Sequence, residues 1–283
     1  VTAHLVRVDS DAYHSEAYAS DNVPRLSSSM AGILISQSPL HCWARHPRLG
    51  NLGGKPATKA MDTGTLVHAL VLGAGKSVLR CEFADWRTKD AQRIRDDARA
   101  AGLVPVLAAD HDDAEKASLK IRQQLADRDI VLDGESEIAV EWEADTQDGA
   151  VLCRGMMDHL VERRGVIVDL KTSRDASPNE FAKSFVKHGY DIQWAAYTEA
   201  LTTLHPELAG RTEMLFVVAE IEEPYAVAVY IPDGSMRELG MRRWDRACST
   251  WARCLADGKW PGYDGKQRIT PPRWTLVQEG IEP

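Results

Sequence analysis

The stretch Gly155-Met156-Met157-Asp158-His159-Leu160-Val161-Glu162-Arg163-Arg164-Gly165-Val166-Ile167-Val168-Asp169-Leu170-Lys171 decides the fold reading. Two β-rich runs flank a polar, glycine-ended turn, which is the pattern of an antiparallel hairpin. If residues 162–165 form the loop, pairing counts inward as 161 with 166, 160 with 167, 159 with 168 and 158 with 169. Asp158 then lies across from Asp169. Lys171, two residues on, leaves the same strand face as Asp169. Two opposed carboxylates repel and destabilise a sheet unless something compensates. A divalent cation removes that penalty, and hard oxygen ligands on rigid strands suit Mg²⁺, with Mn²⁺ able to substitute. A lysine beside them can orient or deprotonate an attacking water, or stabilise charge that develops on a phosphate. These are parts for metal-assisted phosphodiester hydrolysis. The bland alternative is a solvated hairpin edge with surface ion pairs.

Working outward, Ile138, Val140 and Trp142 alternate with polar or small neighbours, and strands are also expected near residues 214–220 and 225–231. Ser27-Ser28-Ser29 offers an N-cap for a helix that stops near Pro39, and a short helical piece follows at 41–45. Residues 48–62 read as a loop, after which Thr63 or Thr65 can cap a helix carrying Leu66, Val67, His68, Leu70 and Val71. Residues 89–130 read as helical, split by Gly102 and Pro105. Ser177-Pro178-Asn179-Glu180 has the form of a capping box, Gly189 ends that helix, and Asp191 can cap the next. A further helix is expected over 234–257; residues 1–26 and the tail read as irregular. No repeat or linker interrupts the pattern, so a single α/β domain over 1–283 is expected.

The chain has 283 residues and a net charge of −8. That excludes a uniformly basic DNA-coating protein, but the charge is not evenly spread. Residues 90–150 hold 16 Asp and Glu against 7 Lys and Arg, so the remainder is close to neutral and can carry a basic groove. Arg163, Arg164, Lys183 and Lys187, outside the acidic block, are candidate DNA phosphate contacts. The five cysteines form no Cys-x-x-Cys and cannot supply the four thiolates of an iron–sulfur cluster, so none is expected. No apolar run is long enough to span a bilayer, and no secretory signal is read, so a cytoplasmic location is expected.

Further residues bear on the hairpin. His68 could add a nitrogen ligand, Glu137 a further acid, and Gln193 and Tyr197 share one helix face at i, i+4. Each alone has a structural reading. Their order, His68, Glu137, Asp158, Asp169-x-Lys171, Gln193-x-x-x-Tyr197, resembles the PD-(D/E)XK nuclease superfamily in its RecB-like branch. Asp11-Ala-Tyr13-His14, Leu26-Ser-Ser-Ser29, Ser38-Pro39, Gly64-Thr65-Leu-Val-His68, Gly189-Tyr190-Asp-Ile-Gln193 and Gly258-Lys-Trp-Pro-Gly-Tyr263 look like the RecE (exonuclease VIII C-terminal) family. Met156 departs from that family, which often carries Arg or another polar residue two before the second-strand acid.

The resemblance implies a three-layer α/β fold of the restriction-endonuclease-like type, with a mixed central sheet flanked by helices. It implies a Mg²⁺-dependent exonuclease that digests linear double-stranded DNA, 5′ to 3′, to expose single strands for recombination. It casts His68, Asp158, Asp169 and the Leu170 carbonyl as metal ligands, with Glu137 a less firmly assigned acid. It casts Lys171 as the water-activating residue, with Gln193 and Tyr197 in support. It further implies DNA ends and a single-strand-annealing recombination protein as partners, a homo-oligomeric ring, and a bacterial or phage origin. Two other readings keep the fold: an end- or structure-specific endonuclease, and a DNA-binding protein that does not cut.

Overall fold

Alternating apolar residues and helix caps produce nine strands and ten α-helices among the described residues of a computed structural model of the chain. It describes residues 2–281 except 17, 20, 54–56 and 267. In chain order these are β1 (Ala3–Val6), α1 (Ser10–Ser15), β2 (Leu26–Ser27), α2 (Ser28–Ser36), α3 (Pro39–Arg45), α4 (Lys59–Leu72) and β3 (Val78–Cys81). There follow α5 (Lys89–Ala100), β4 (Val104–Leu107), α6 (Ala108–Ala126), β5 (Glu135–Thr146), β6 (Gly149–Val161) and β7 (Val166–Ser173). The chain continues through α7 (Pro178–His188), α8 (Tyr190–Leu204), β8 (Glu213–Glu220), β9 (Val227–Tyr230), α9 (Gly234–Asp257) and α10 (Arg273–Gln278).

The main sheet runs β1-β5-β6-β7-β8-β9, with β2 added alongside β6. It is mixed: β7 and β8 are parallel, while β1/β5, β5/β6, β6/β7 and β8/β9 are antiparallel. One face buries Val140, Trp142, Met157, Ile167 and Phe216 against α2, α8 and α9. The other buries Val168, Leu170, Val217 and Ala219 against Leu66, Val67 and Val71 of α4 and Ile121 and Leu125 of α6. Fully burying a side chain of this size stabilises the fold by roughly 1.5–3 kcal/mol, so both helical layers are held chiefly by apolar contact with one sheet. This is the expected three-layer α/β arrangement. No helix among the described residues is long and apolar enough to cross a membrane.

Several local expectations are corrected. Residues 1–26 are not wholly irregular: β1 pairs with β5, and α1 is capped by Asp9, whose carboxylate accepts from the Ala12 N–H. The segment 89–130 is not all helix, because β4 separates α5 from α6 and pairs in parallel with β3. All four β4 residues are buried, so no alternation marked it as a strand. Helix α4 begins earlier than expected, capped by Thr58. Thr63 and Thr65 lie inside it and donate back to the Lys59 and Met61 carbonyls, the usual alternative to capping. Gly54 and Pro56, part of the loop expected over 48–62, lie outside the described residues.

The Ser177 box does not close. Asp175 Oδ1 already accepts the Ser177 N–H at 2.8 Å, and Glu180 pairs instead with Lys183 at 2.5 Å. Asp191 is no cap either, being buried within α8 and paired with Arg243 at 2.7 Å. Helix α9 occupies its expected bounds. In the tail, Trp260 packs edge-on against Trp251 and the Pro261 carbonyl accepts from the Leu40 N–H, while α10 adds a turn of helix beyond.

Candidate active site

The hairpin turn falls where the sequence places it. Residues 162–164 form a single 3-10 turn, closed by Gly165 in the left-handed region at φ 66°. The ladder then pairs Val161 with Val166, Leu160 with Ile167 and His159 with Val168, and stops. The fourth expected pair, Asp158 with Asp169, is not made. Asp158 instead turns its carboxylate inward, and Oδ2 accepts the Leu170 N–H at 2.8 Å. A side chain has taken over the backbone's bond, and β6 and β7 separate from this point. The sheet is forked.

A matching irregularity lies on the other side of β6. Ser136 pairs with His159 and Ile138 with Met157, but Glu137 and Asp158, opposite each other between them, exchange no ladder bond. Glu137 takes φ 53°, a conformation that is uncommon for a residue with a Cβ. Met157 and Leu160 both enter the same core although they are three apart, so the alternation of β6 slips between them. The two acids thereby leave the ladder together. His68, from the middle of α4, places Nδ1 3.6 Å from Asp158 Oδ2. One ligand atom from each of His68, Glu137 and Asp158 lies within 4.8 Å of the others.

Asp169 is adjacent to this cluster and fully buried. Gln193 donates to its Oδ1 at 2.6 Å, and Lys171 Nζ approaches its Oδ2 at 2.5 Å. Oδ2 still lacks a well-directed hydrogen bond. A buried carboxylate oxygen without a directed donor, next to two more acids and an imidazole, fits a hard divalent cation. His68, Glu137, Asp158 and Asp169 are the residues that would hold one. Of the expected set, His68, Asp158 and the less firmly assigned Glu137 form the tight cluster, and Asp169 lies beside it.

Crowding of acids sets the electrostatics. Burial pushes the Glu137 carboxyl up, and Asp158 adds to the shift. Asp169 is pushed up to about 6, chiefly by burial, with Lys171 opposing and Asp158 adding. Burial disfavours the Lys171 ammonium, but Asp169 and Asp158 outweigh it and its pKa rises, so Lys171 is a cation. A prediction follows for the metal-free protein. Below pH 3.8, its ordinary value, Asp169 is protonated in both folded and unfolded chains. Between there and about 6 the folded chain binds the extra proton, so stability falls as pH rises through that window. The slope from one such group is at most roughly 1.4 kcal/mol per pH unit. Urea titrations across the window should show this decline in the wild type and a flatter curve in Asp169→Asn.

Tyr197 crosses β6 on the side of α8, and its hydroxyl donates to the Met156 carbonyl at 2.8 Å. Gly155 makes the crossing feasible: a Cβ there would stand 2.5 Å from Tyr197 Cε1. Gly155→Ala is expected to cost about 1–3 kcal/mol through overpacking. Urea denaturation measures it, and the penalty should vanish when Tyr197→Ala is combined with it.

The cluster opens into a cleft of about 1290 Å³, lined by residues from α1, the N-terminus of α2, α4 and the start of α8. Its basic side chains are Arg45, Lys76 and Arg154, with His14 and His188. Arg154 is buried, ion-paired with Glu16 and donating to the Tyr13 carbonyl, while Lys76 pairs with Asp11 at 2.5 Å. None of Arg163, Arg164, Lys183 and Lys187 lines the cleft. Arg163 pairs with Asp133 at the hairpin tip, beyond the paired end of the fork, and Lys183 pairs with Glu180. Lys183 and Lys187 sit on the face of α7 away from buried Phe181 and Phe185. A signal for Arg154 was present: it is four residues from Asp158 on the same strand. Nothing in the sequence singled out Lys76.

A mixed sheet covered by helices on both faces, with three acids and a lysine where two strands part, is the PD-(D/E)XK nuclease-like fold. The chain belongs to the family described as "PDDEXK-like domain of unknown function (DUF3799)", which it matches over residues 34–270. No match is found among curated proteins. Among solved structures, the chain is similar to a crystal structure of a "Putative exonuclease" from Eubacterium rectale. That match has a TM-score of 0.60 and 14% identity, covering 98% of this chain and 100% of the other. A structure of SSO0001 aligns over 64% of this chain and 83% of its own at 11% identity; its TM-score of 0.29 carries no argument.

Proposed function

We propose that the protein is a divalent-metal-dependent DNA nuclease, and within that class an exonuclease of the RecE type acting on linear duplex ends. The observation that carries the reading is the meeting of His68, Glu137 and Asp158 on one large cleft at the fork of the sheet, with buried Asp169 and its ion-pair partner Lys171 beside them. The likeness in fold to a protein described as an exonuclease supports the narrower form. A bound Mg²⁺ or Mn²⁺ supplies Lewis acidity and neutralises charge on the scissile phosphodiester. The chain's own groups do the rest. Gln193 fixes one oxygen of Asp169, and Lys171 holds the other. The Lys171 ammonium presents N–H donors to an attacking water or to a phosphate oxygen, where charge builds as the phosphorus–oxygen bond breaks. Arg45 and Lys76 supply positive charge along the cleft for the DNA backbone.

The discriminating assay compares linear and covalently closed circular duplex in Mg²⁺, with EDTA as control. Nucleotides released from the linear form only are expected. Nicking or cutting of the closed circle would favour the endonuclease reading. DNA binding with no hydrolysis in Mg²⁺ or Mn²⁺ would favour a non-cutting protein, and full activity in EDTA would sink the metal mechanism.

A further inference from the structure

Two contacts bear on where the Lys171 ammonium sits. One is Asp169 Oδ2. The other is the face of Tyr190, whose ring centre is 4.7 Å from Nζ. Tyr190 opens α8 directly after Gly189, which ends α7 in the left-handed region at φ 75°. Its ring has little freedom to turn. It stacks on Phe181 at 6.1 Å and on Phe216 at 6.2 Å, and stands edge-on to Phe185 at 6.1 Å. Its hydroxyl makes no hydrogen bond among the described residues, whereas Tyr197 and Gln193 on the same helix bond directly to the site strands.

The two contacts on Lys171 are not equivalent. Asp169 Oδ2 is held by the ammonium and not by Gln193, so a cation reaching that oxygen would have to displace Lys171 from it. Whatever engages Oδ2 competes with Lys171 for it. A neutral aromatic face offers no ligand to a hard metal, yet it attracts an ammonium through its quadrupole. We infer that Tyr190 is a positioning residue for Lys171: its ring face, not its hydroxyl, holds the ammonium in place when Asp169 is engaged elsewhere. This rests on the nuclease reading for what Lys171 does, but not for the contact itself. The competing explanation is packing alone, with the ring serving only as one member of the Phe181–Phe185–Phe216 cluster.

Shape and charge can be separated at this position. The full chain would be prepared with Tyr190→Phe, and with mono-, di- and trifluorinated phenylalanine at the same site. Fluorination keeps the ring's outline while draining negative charge from its face. The series would be made in the wild-type and Lys171→Met backgrounds. Two readouts apply: urea unfolding in EDTA, and single-turnover digestion of end-labelled linear duplex in Mn²⁺ beside DNA-end binding.

Tyr190→Phe should match the wild type in both. Across the fluorinated series the folding equilibrium constant should fall stepwise, by about fivefold to thirtyfold in total, the span of a partly desolvated cation–π contact. That loss should disappear with Lys171→Met. Single-turnover rate should fall in parallel by about tenfold with end binding unchanged. A flat series, a loss that persists without Lys171, or a Tyr190→Phe defect as large as the trifluorinated one would each overturn the assignment. So would a loss of stability with no change in rate. Should the wild type release nothing from any DNA, the nuclease reading falls, and the unfolding series in EDTA alone decides the Tyr190–Lys171 contact.

Discussion

Lys171→Ala should digest linear DNA about 10²–10⁴-fold more slowly than the wild type, the usual weight of a positioned acid–base or electrostatic group. Binding of DNA ends should change little. The ammonium lies beside the cluster of His68, Glu137 and Asp158 rather than within it, so the ligand atoms survive its removal. Its direct partner is Asp169 Oδ2, and losing that cation makes ionised Asp169 costlier, while freeing the oxygen. These effects oppose each other, and Mn²⁺ affinity should stay within several-fold of wild type. Lys171→Arg should rescue poorly, because a planar guanidinium keeps the charge without presenting a compact donor at the same point. Calorimetric Mn²⁺ titration beside single-turnover digestion separates a role in the transition state from a role in binding. Abolished Mn²⁺ binding would make Lys171 a structural ion-pair partner, and a near-normal rate would remove it from the chemistry.

Asp158→Asn should be as damaging by a different route. Asp158 combines two tasks: its Oδ2 accepts the Leu170 N–H, and the same carboxylate approaches His68 and Glu137. An asparagine carbonyl can keep the first and loses the charge needed for the second. The metal-free variant should therefore fold with at least wild-type stability, since Glu137 and Asp169 lose a like-charged neighbour. Mn²⁺ affinity should drop by more than about 100-fold, beyond the 10–100-fold typical of residues that only support ligands. Activity should be lost with it. Asp158→Ala additionally leaves the Leu170 N–H without its partner, and should cost a further 1–3 kcal/mol of stability. Unchanged metal affinity in Asp158→Asn would show that Asp158 is structural.

Where the sequence was readable, the reason was local chemistry. Gly165 and a four-residue turn fixed the register of β6 on β7 for three pairs, because the ladder propagates by counting. It misled at the fourth, because counting cannot see a carboxylate replacing the backbone as acceptor. Helix α9 was legible over 234–257, and the structure bounds it with the Asp233 cap and Gly258. Strands β3 and β4, four residues each and paired only with one another, carried no periodic signal. Glu137 was visible as an acid in the right order, but its left-handed backbone belongs to glycine or asparagine by preference and left no trace in residue type. Arg163 and Arg164 drew attention through charge, yet a turn is where charged residues collect for solvation alone. Tyr190 entered the sequence reading only as part of the Gly189–Gln193 motif. Its position over Lys171 depends on how α7 meets α8, which no short window of sequence encodes.

The forked sheet has a mechanical consequence. Strands β7 and β8 are tied by eight consecutive residue pairs, and β5 and β6 by eleven, so each pair behaves as a stiff arm. Between the arms there are only three pairs at the hairpin end and the single Asp158–Leu170 clasp. Spreading or narrowing the gap therefore strains little backbone, much as tongs flex at the bend and not along the limbs. Asp158 and Glu137 stand on one side of that gap, while Asp169 and Lys171 ride on the other with His68, whose helix packs against β7 and β8. Any ion or substrate that bridges them would set the aperture, and the clasp would be the part that yields first.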